Sequence, residues 1–401
     1  MTTATMPGTG LRIAMFSESY LPRISGVAHS LYAVARGLRE LGHRVLIAAP
    51  RYPGYEDDDP DVVRFPSVRP PQDREFPLGL PYSPSAWRRL EDADPDIVHS
   101  HSPFLMGGAG ARLARRRRIP LVFTHHTLYD KYVHYAPFVS ARVSAPAVRA
   151  YVRGFANRCQ AVVVPSRMVA ARLRDQGVTA RIECIPTAAL ETDADTRRDA
   201  SGARAAFSIP PGRPVIVTTS RLAREKSVEL VLAAFAEIRS THDAVLLVVG
   251  GGPEEETLHA VARSLSITRD VIFTGLLPHG RALDCMAASD LFLYASQTET
   301  QGLVVVEAMA LGLPVVAVDA GGIADAVRDG ETGFLTSADP AALAERVRVL
   351  LDDSARARAM GERGRAASGA FTTPVIAARL AALYESLLVP SPRPKRRRHS
   401  G

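Results

Sequence analysis

The sequence predicts two α/β domains, each built on a doubly wound parallel sheet. Three observations carry that expectation. Short apolar runs recur without polar alternation, as strands buried on both faces require. Stretches of helical period lie between them. The series stops once, at the polar stretch 187–213, and then restarts. A length of 401 residues suffices for roughly two or three domains of ~150 each.

The first series opens with the strand "LRIAMF" (11–16) and the helix "VAHSLYAVARGLRELG" (27–42), apolar at Leu31, Val34, Ala35, Leu38 and Leu41. Strands follow at 43–49, 96–101, 120–126, 161–166 and 181–186. Residues 187–213, rich in Ala, Asp and Arg, read as a linker with a short helix. The second series runs strand 214–220, helix 227–239, strand 244–250, helix 254–265, strand 271–275, helix 280–288, strand 291–296, helix 302–311 and strand 314–319. A last helix spans 375–388, ahead of the basic tail "PSPRPKRRRHS". The expected divisions are a first domain at 9–186, a linker at 187–213, a second domain at 214–374, a final helical segment at 375–390 and a disordered tail at 391–401. In open sheets of this kind ligands bind beyond the carboxyl ends of the strands, so functional residues are sought there.

Composition narrows the function. The net charge of +7 and pI near 9.5 call for an anionic partner: nucleic acid, an acidic membrane surface or a phosphorylated substrate. No aromatic platform interleaves with the arginines, which argues against nucleic acid. Cys159, Cys184 and Cys285 are few, odd in number and far apart. They offer neither metal spacing nor a disulfide framework, and a reducing cytoplasm fits. The start "MTTATMPGTGLRIAMF" lacks a secretory pattern. The longest apolar stretch, 303–318, is broken by Glu307, Gly312 and Pro314, so no spanning helix is expected. A chain of this kind that meets a membrane lies on it.

The most informative segment is "SQTETQGLVVVEAMALGLPVVAVDAGG" (296–322). Its turn lies between a strand and a helix. Gly302 permits close backbone approach, and the N–H groups of Gly302 and Leu303 at the helix start favour an anion. Glu299 stands just before, as a helix-capping acid or as an acceptor for sugar hydroxyls. Glu307 lies in the second helical turn, and its apolar flanks speak against simple solvation. "SRLAREKSVELVLAAF" (220–235) follows another strand, and Arg221 and Lys226 are surface cations or the two halves of a diphosphate clamp. Such a clamp neutralises a leaving nucleotide without a metal. The turn Gly250, Gly251, Gly252 allows backbone approach to a base or phosphate but lacks the spacing of a dinucleotide fingerprint. Gly26 sits at a helix start after the first strand. His126 lies at a strand end, a structural histidine or a neutral group orienting a hydroxyl. His99 and His101 form a His-x-His pair without convincing further metal ligands. The acidic clusters at 56–61 and 91–96 read as solvated loops. Arg115 to Arg118, with Arg142, Arg149, Arg153 and Arg158, offer either a solubilising surface or a basic, partly apolar face for anionic lipid.

Together these segments resemble a known family. "TETQGLVVVEAMALGLPVVA", "SRLAREKSVELVLAAF", "VVGGGPE" and "FTG" occur in the order found in retaining GT-B glycosyltransferases of the glycogen-synthase-like and sucrose-synthase-like group, and "SESYLPRISGVAHSLYAVARGLRELGHRV" is similar to the first strand, loop and helix of that group. The likeness spans about residues 11–388. "TETQGL" and "HSHSPFLMGG…IPLVFTHHTLYDKYVHY" are most similar to diacylglycerol glycosyltransferases. The resemblance implies two Rossmann-like domains facing a cleft, closing over a UDP-sugar or GDP-sugar donor, with the final helix packed back on the first. It implies Glu299 at the donor sugar and Glu307 at the ribose hydroxyls. Arg221 and Lys226 would hold the diphosphate, and Gly302 and Leu303 would offer amides. His126 would line the sugar pocket, and Gly26 would let the first loop approach the phosphate. It further implies retention of configuration, no metal, a lipid acceptor such as diacylglycerol, and a peripheral place on the cytoplasmic face of the cell membrane. Phosphatidylinositol or a soluble acceptor is the alternative with the same chemistry; an idle sugar-nucleotide-binding scaffold is the alternative of another class. Ala188, Pro103, and Cys285 with Met286 depart from the group's usual residues.

Overall fold

The computed structural model describes residues 10–23, 26–69, 77–128, 141–189 and 198–388, with backbone alone at 141–144. The expected tail at 391–401, with Lys395, Arg396, Arg397 and Arg398, the side chain of Arg142 and linker residues 190–197 lie outside the described residues.

In chain order the elements begin with β1 (Arg12–Phe16), α1 (Gly26–Glu40), β2 (Arg44–Pro50), β3 (Val62–Phe65), β4 (Ser67–Val68) and β5 (Leu78–Gly79). Next come α2 (Pro84–Asp92), β6 (Ile97–Ser100), α3 (Leu105–Arg117), β7 (Leu121–Thr124), α4 (Ala141–Ala156), β8 (Ala161–Val164), α5 (Arg167–Asp175) and β9 (Arg181–Cys184). The second series is α6 (Ala200–Ala206), β10 (Val215–Thr219), α7 (Val228–Arg239), β11 (Val245–Val249), α8 (Glu255–Ser264), β12 (Val271–Phe273), α9 (His279–Ala287) and β13 (Leu291–Tyr294). It continues through α10 (Leu303–Ala310), β14 (Val315–Val318), β15 (Gly333–Thr336), α11 (Pro340–Asp352), α12 (Ser354–Ser368) and α13 (Thr373–Leu388).

Two sheets result. One has seven strands in the order β3-β2-β1-β6-β7-β8-β9, the other six in the order β12-β11-β10-β13-β14-β15. The neighbouring strands are parallel, as in β1 with β2 and β6, and β10 with β11 and β13. Only the short β4–β5 ribbon is antiparallel among the described pairs. The order reverses between β1 and β6 in one sheet and between β10 and β13 in the other, which makes those strand ends the natural ligand sites.

The chain forms two compact units. The first takes the residues up to Val163, Gln176–Ile185 and those from Ile376; the second takes Val164–Asp175 and Pro186–Val375. The described part of the stretch read as a linker packs within the second unit, because Ala203 of α6 and Ile209 are apolar and bury in its core. Most of α13 groups with the first unit.

Strand periodicity explains how the six-stranded sheet is held. Ile216, Leu246, Val248, Leu291, Leu293, Val316 and Val318 bury on one face against α7 and α11. Val215, Val217, Leu247, Val249, Phe292, Tyr294, Val315 and Ala317 bury on the other, against α9 and α10. Successive residues alternate between cores, so every position is apolar and the sequence shows continuous runs. Cys285 and Met286, departures from the family pattern, are simply core residues at 1% and 0% exposure.

One expectation needs correction, and two further segments need a physical account. The acidic clusters are not merely solvated loops. Arg64 grips Asp57 with two nitrogens at 2.6 and 2.8 Å, and Arg39 meets Asp59 at 2.7 Å. Arg12 binds Asp96 and Asp94, and its guanidinium holds the Asp96 carboxyl below the usual range. Residues Glu91 and Asp92 belong to α2. The stretch Ser354–Leu388 would be long and apolar enough to cross a membrane, by length and composition, were it one helix. It folds as two helices: a 3-10 turn at Gly369–Phe371 and an extended Thr372 separate α12 from α13. Helix α13 buries Ile376, Ala377, Leu380 and Tyr384. Finally, the glycine turn after β11 serves the chain itself. A Cβ at Gly250 would lie 2.0 Å from the Ser220 carbonyl, and one at Gly252 would lie 2.3 Å from that of Leu222. Those glycines let the loops after β10 and β11 share hydrogen bonds, Leu222 to Gly251 and Glu254 to Leu222.

Candidate functional site

In the second unit the site is built on the loops after β10 and β13. Beyond β10, Arg221 is exposed, and its guanidinium makes no hydrogen bond or ion pair among the described residues. A 3-10 turn at Arg224–Lys226 then places Lys226 against Glu299. Glu299 Oε1 accepts from three donors: Lys226 Nζ at 2.5 Å, Tyr294 Oη at 2.7 Å and Ser296 Oγ at 3.1 Å. Burial alone would raise this carboxyl. The Lys226 charge and the three hydrogen bonds outweigh it and hold Glu299 below the usual carboxylate range. One oxygen thus takes all three bonds, and Oε2 makes none among the described residues.

The loop carrying Glu299 is braced twice. Gln301, 3% exposed, pairs its side-chain amide with the Thr187 backbone, accepting at 2.7 Å and donating at 3.0 Å. Gly321, at φ 64°, and Gly322 pack directly on it: a Cβ there would lie 2.3 and 2.1 Å from the carbonyls of Glu299 and Thr300. Gly302 takes φ 78°, a left-handed conformation that glycine adopts without strain, and caps α10 without a side chain. The first amides of α10, beginning with Leu303, have no helical partner. Within α10, Val305, Val306, Ala308 and Met309 are buried, and so is Glu307, at 8% exposure. Glu307 Oε1 meets His279 Nε2 at 3.0 Å, at the start of α9.

The first unit presents a different site, on the loops after β1, β6 and β7. Gly26 is the exposed first residue of α1, with open space where a Cβ would go. In the same unit three imidazoles cluster at the ends of β6 and β7. His99 is fully buried, with Nδ1 on Tyr384 Oη and Nε2 on Thr124 Oγ1, both at 2.6 Å. The ring of His101 lies 4.3 Å from that of His99 and stacks at 5.2 Å on His126. His101 Nδ1 meets His126 Nε2 at 3.0 Å. Burial depresses all three; His99 and His126 are pushed to about 3 and His101 well below its ordinary value, so the cluster is neutral at neutral pH. Both nitrogens of His99 are used within the fold, and no group of metal-ligating side chains occurs among the described residues.

Of the residues expected from sequence, Lys226 and Glu299 touch, Gly302 and Leu303 adjoin them in the same loop, and Arg221 stands exposed after the neighbouring strand. Glu307 is on the same helix but engaged by His279. His126 and Gly26 belong to the other unit. Sequence reasoning missed His279, Tyr294, Ser296 and Gln301. Tyr294 and Ser296 are separated by two positions on a strand end and so point to one side, a signal that was available. His279 had none, since its loop carries no motif.

Glu18 was missed as well. It is 7% exposed, and its Oε1 accepts from Met106 N at 2.6 Å and Ser102 Oγ at 3.3 Å. Burial pushes its carboxyl up to about 7, against those two hydrogen bonds. A groove of 830 Å³ in the same unit is lined by Arg112, Arg115, Arg118 and Arg158 together with Tyr151. Arg116 and Arg117, by contrast, pair with Glu91 and Asp94.

Comparison with known proteins gives concordant findings. The family described as glycosyl transferases group 1 matches residues 201–367, and glycosyltransferase family 4 matches 24–189. An alpha-monoglucosyldiacylglycerol synthase from Streptococcus pneumoniae is 33% identical over 77% of this chain and 71% of its own. A GDP-mannose-dependent alpha-mannosyltransferase from Mycolicibacterium smegmatis is 32% identical over 94% of this chain and 98% of its own. In fold, the chain is similar to HepE from Anabaena, solved in complex with UDP, at a TM-score of 0.72 and 22% identity, covering 94% of this chain and 100% of that one.

Proposed function

The chain belongs to the GT-B glycosyltransferases of group 1, and on that premise we propose that it moves a hexose from a UDP-sugar or GDP-sugar to a membrane lipid, diacylglycerol first, with retention of configuration. One observation carries the donor half: Glu299 keeps a free oxygen while Lys226 holds it ionised beside the open amides of α10. We read the free oxygen as the acceptor for a sugar hydroxyl. Arg221, Lys226 and the amides of Gly302 and Leu303 then face the diphosphate. Their positive field stabilises the charge that grows on the departing nucleotide, which is where electrostatic catalysis acts. Glu307 accepts from the ribose hydroxyls, its second oxygen being left over by His279. No metal is needed in this reading.

The lipid half rests on the relative that makes a glucosyldiacylglycerol and on the arginine-lined groove. The cations Arg112, Arg115, Arg118 and Arg158 suit an anionic bilayer surface, at about 1 kcal/mol per charge. These cations support our reading of a peripheral protein on the cytoplasmic leaflet. Retention agrees with the names of both relatives, which specify α products. The end-to-end match to a mannosyltransferase favours GDP-mannose as a second donor, with phosphatidylinositol or a soluble molecule as acceptor.

The test is a panel of UDP-glucose, UDP-galactose and GDP-mannose against diacylglycerol in mixed micelles, with the anomeric linkage of any product determined. An α-linked glycolipid is expected. No product from any donor, or a β linkage, overturns the proposal. Sedimentation with anionic vesicles should weaken about tenfold or more in an Arg115→Ala, Arg118→Ala double variant; equal binding would return the groove to a solubilising role.

A further inference from the structure

Beyond the donor loops, one cavity combines a largely apolar wall with two residues that each carry a buried polar atom unpartnered among the described residues. It has a volume of 310 Å³ and lies in the first unit, at the strand-order reversal between β1 and β6. Val27, Leu78, Phe104 and Leu105 supply the apolar wall, and Glu18, His101 and Arg23 line it too, with several hydroxyl residues between them. Glu18 Oε2 and His101 Nε2 are both buried without a hydrogen-bond partner. Buried polar atoms are nearly always paired, and each exception needs an explanation. Two such atoms on one cavity wall point to a ligand that supplies the missing bonds.

The geometry says which group that ligand carries. Glu18 Oε1 already accepts from the Met106 amide and the Ser102 hydroxyl. Any proton on this carboxyl therefore sits on Oε2, making it a donor; without a proton Oε2 is an acceptor. His101 Nδ1 shares one proton with His126 Nε2 across 3.0 Å. If His101 donates in that bond, its Nε2 is an acceptor; if His126 donates, His101 Nε2 carries the proton and donates. A hydroxyl carries one proton and two lone pairs, so it satisfies the pair whenever at least one of the two atoms donates; only the state with both as acceptors leaves one unmet. An ether, an ester oxygen or a methyl group does not. The rest of the ligand is apolar, because the wall is. Phe104 and Leu105 are themselves 39% and 45% exposed, so the apolar lining runs out to the surface. There Phe104 stacks on Tyr151 with ring centroids 5.9 Å apart, and Tyr151 lines the arginine groove.

We propose that this cavity holds the free hydroxyl of an amphiphilic acceptor, with Glu18 Oε2 and His101 Nε2 as its two hydrogen-bond partners and the wall toward Phe104 as the exit for its apolar chains. The proposal rests on the lipid-acceptor reading above and adds the residues that select the acceptor. Glu18 and His101 are specificity-determining here; they touch the acceptor and leave the nucleotide alone.

The test uses the full chain, with dioctanoylglycerol in mixed micelles as acceptor. Replacing Glu18 by leucine should raise the acceptor KM about tenfold or more, the loss of one hydrogen bond to a buried polar group. Affinity for UDP or GDP, measured by calorimetry, should not change. Glu18→Gln keeps an acceptor for Met106 and Ser102 and so preserves the fold, while converting the other atom to a donor only; its acceptor KM should fall between the two. A His101→Phe variant should also raise the acceptor KM. An unchanged acceptor KM in Glu18→Gln and His101→Phe overturns the proposal, as does an equal loss of nucleotide affinity. A second readout is independent of turnover. Thermal stabilisation by octan-1-ol should exceed that by methyl octyl ether in the wild type, and the preference should vanish in both variants. Alcohol preference without dioctanoylglycerol turnover supports the hydroxyl site and refutes diacylglycerol as the acceptor. Absence of any preference refutes the site even where turnover is seen.

Discussion

Glu299 and Glu18 each stand past a strand bordering the reversal of strand order, β13 in one unit and β1 in the other, yet their surroundings drive them in opposite directions. Both are desolvated, which by itself raises a carboxyl. At Glu299 the cation of Lys226 and two hydroxyl donors win, and the group is held ionised. At Glu18 one amide and one hydroxyl are too little, and the carboxyl is pushed up to about 7. Its neighbours beyond β6 and β7 are three imidazoles kept neutral by burial. One topology therefore builds a crevice whose acid is held ionised and another whose carboxyl and imidazoles are pushed toward their neutral forms, with Arg23 on its wall. The strand order determines where a side chain meets a ligand; the residues in the loop just beyond the strand decide what ligand that is. The crevice with the ionised acid suits a nucleoside diphosphate, and the other suits an alcohol with an apolar body.

The comparison breaks most sharply at Lys226. Lys226→Ala strips Glu299 of its counter-charge and removes one arm of the phosphate grip together. Turnover should fall about 10²–10³-fold, in the range seen when one preorganised electrostatic donor is lost. Glu299→Gln should cost a similar factor, and the double variant should cost much less than the product of the two, since each single change already breaks the pair. UDP and GDP calorimetry should show the loss of affinity for Lys226→Ala. Additive effects, or unchanged nucleotide binding, would mean that the two residues do not act together.

The next test sets the two crevices against each other by pH. Glu18 is raised, so its contribution to stability is complete below pH about 4.5 and is lost as pH rises through about 7. At about 1.4 kcal/mol per pH unit between those values the swing is about 3 kcal/mol. The histidines have the opposite sign. Depressed to about 3 at His99 and His126, they contribute above pH 6.5, and that contribution is lost as pH falls toward 3. Urea unfolding of wild type and Glu18→Gln at pH 4.5, 6 and 8 isolates the carboxyl. The variant should gain on the wild type by about 3 kcal/mol between the lowest and highest of these pH values. A constant difference across that range would show that Glu18 ionises as an ordinary surface acid, and the contrast with Glu299 would vanish.

Much of this was legible in the sequence, and the gaps have physical reasons. The strands were visible because doubly covered strands are apolar at every position, as in "VLLVV" of β11. The short β3 and the β4–β5 ribbon were missed, being two to four residues long and set among prolines and charges. Glu307 announced itself by its apolar flanks, and burial at 8% accords with them. Glu299, Lys226 and Gly302 were accessible as loop residues at strand ends. What could not be read was pairing. Nothing in the order of residues says that Gln301 will clasp the Thr187 backbone or that Arg64 will hold Asp57. Glu18 was hidden for a subtler reason: it follows a strand like many surface acids, and only the closure of α3 over it, through the Met106 amide, makes it a buried group.

The smallest expected effect concerns the charged crevice alone. If Arg221, Lys226 and the α10 amides supply the positive field that a divalent ion would otherwise bring, a chelator should change turnover by less than about twofold. Lys226→Ala should then keep its full loss of turnover when magnesium or manganese is added back, because Glu299 has no further metal-ligating side chains grouped with it among the described residues and one carboxylate holds a divalent ion poorly. The informative failure is the converse. Activity abolished by chelator and restored by a divalent ion would mean that the diphosphate reaches the crevice already bound to a cation. Glu299 would then be read as part of that ion's coordination, and the pairing with Lys226 as the resting arrangement that the ion displaces.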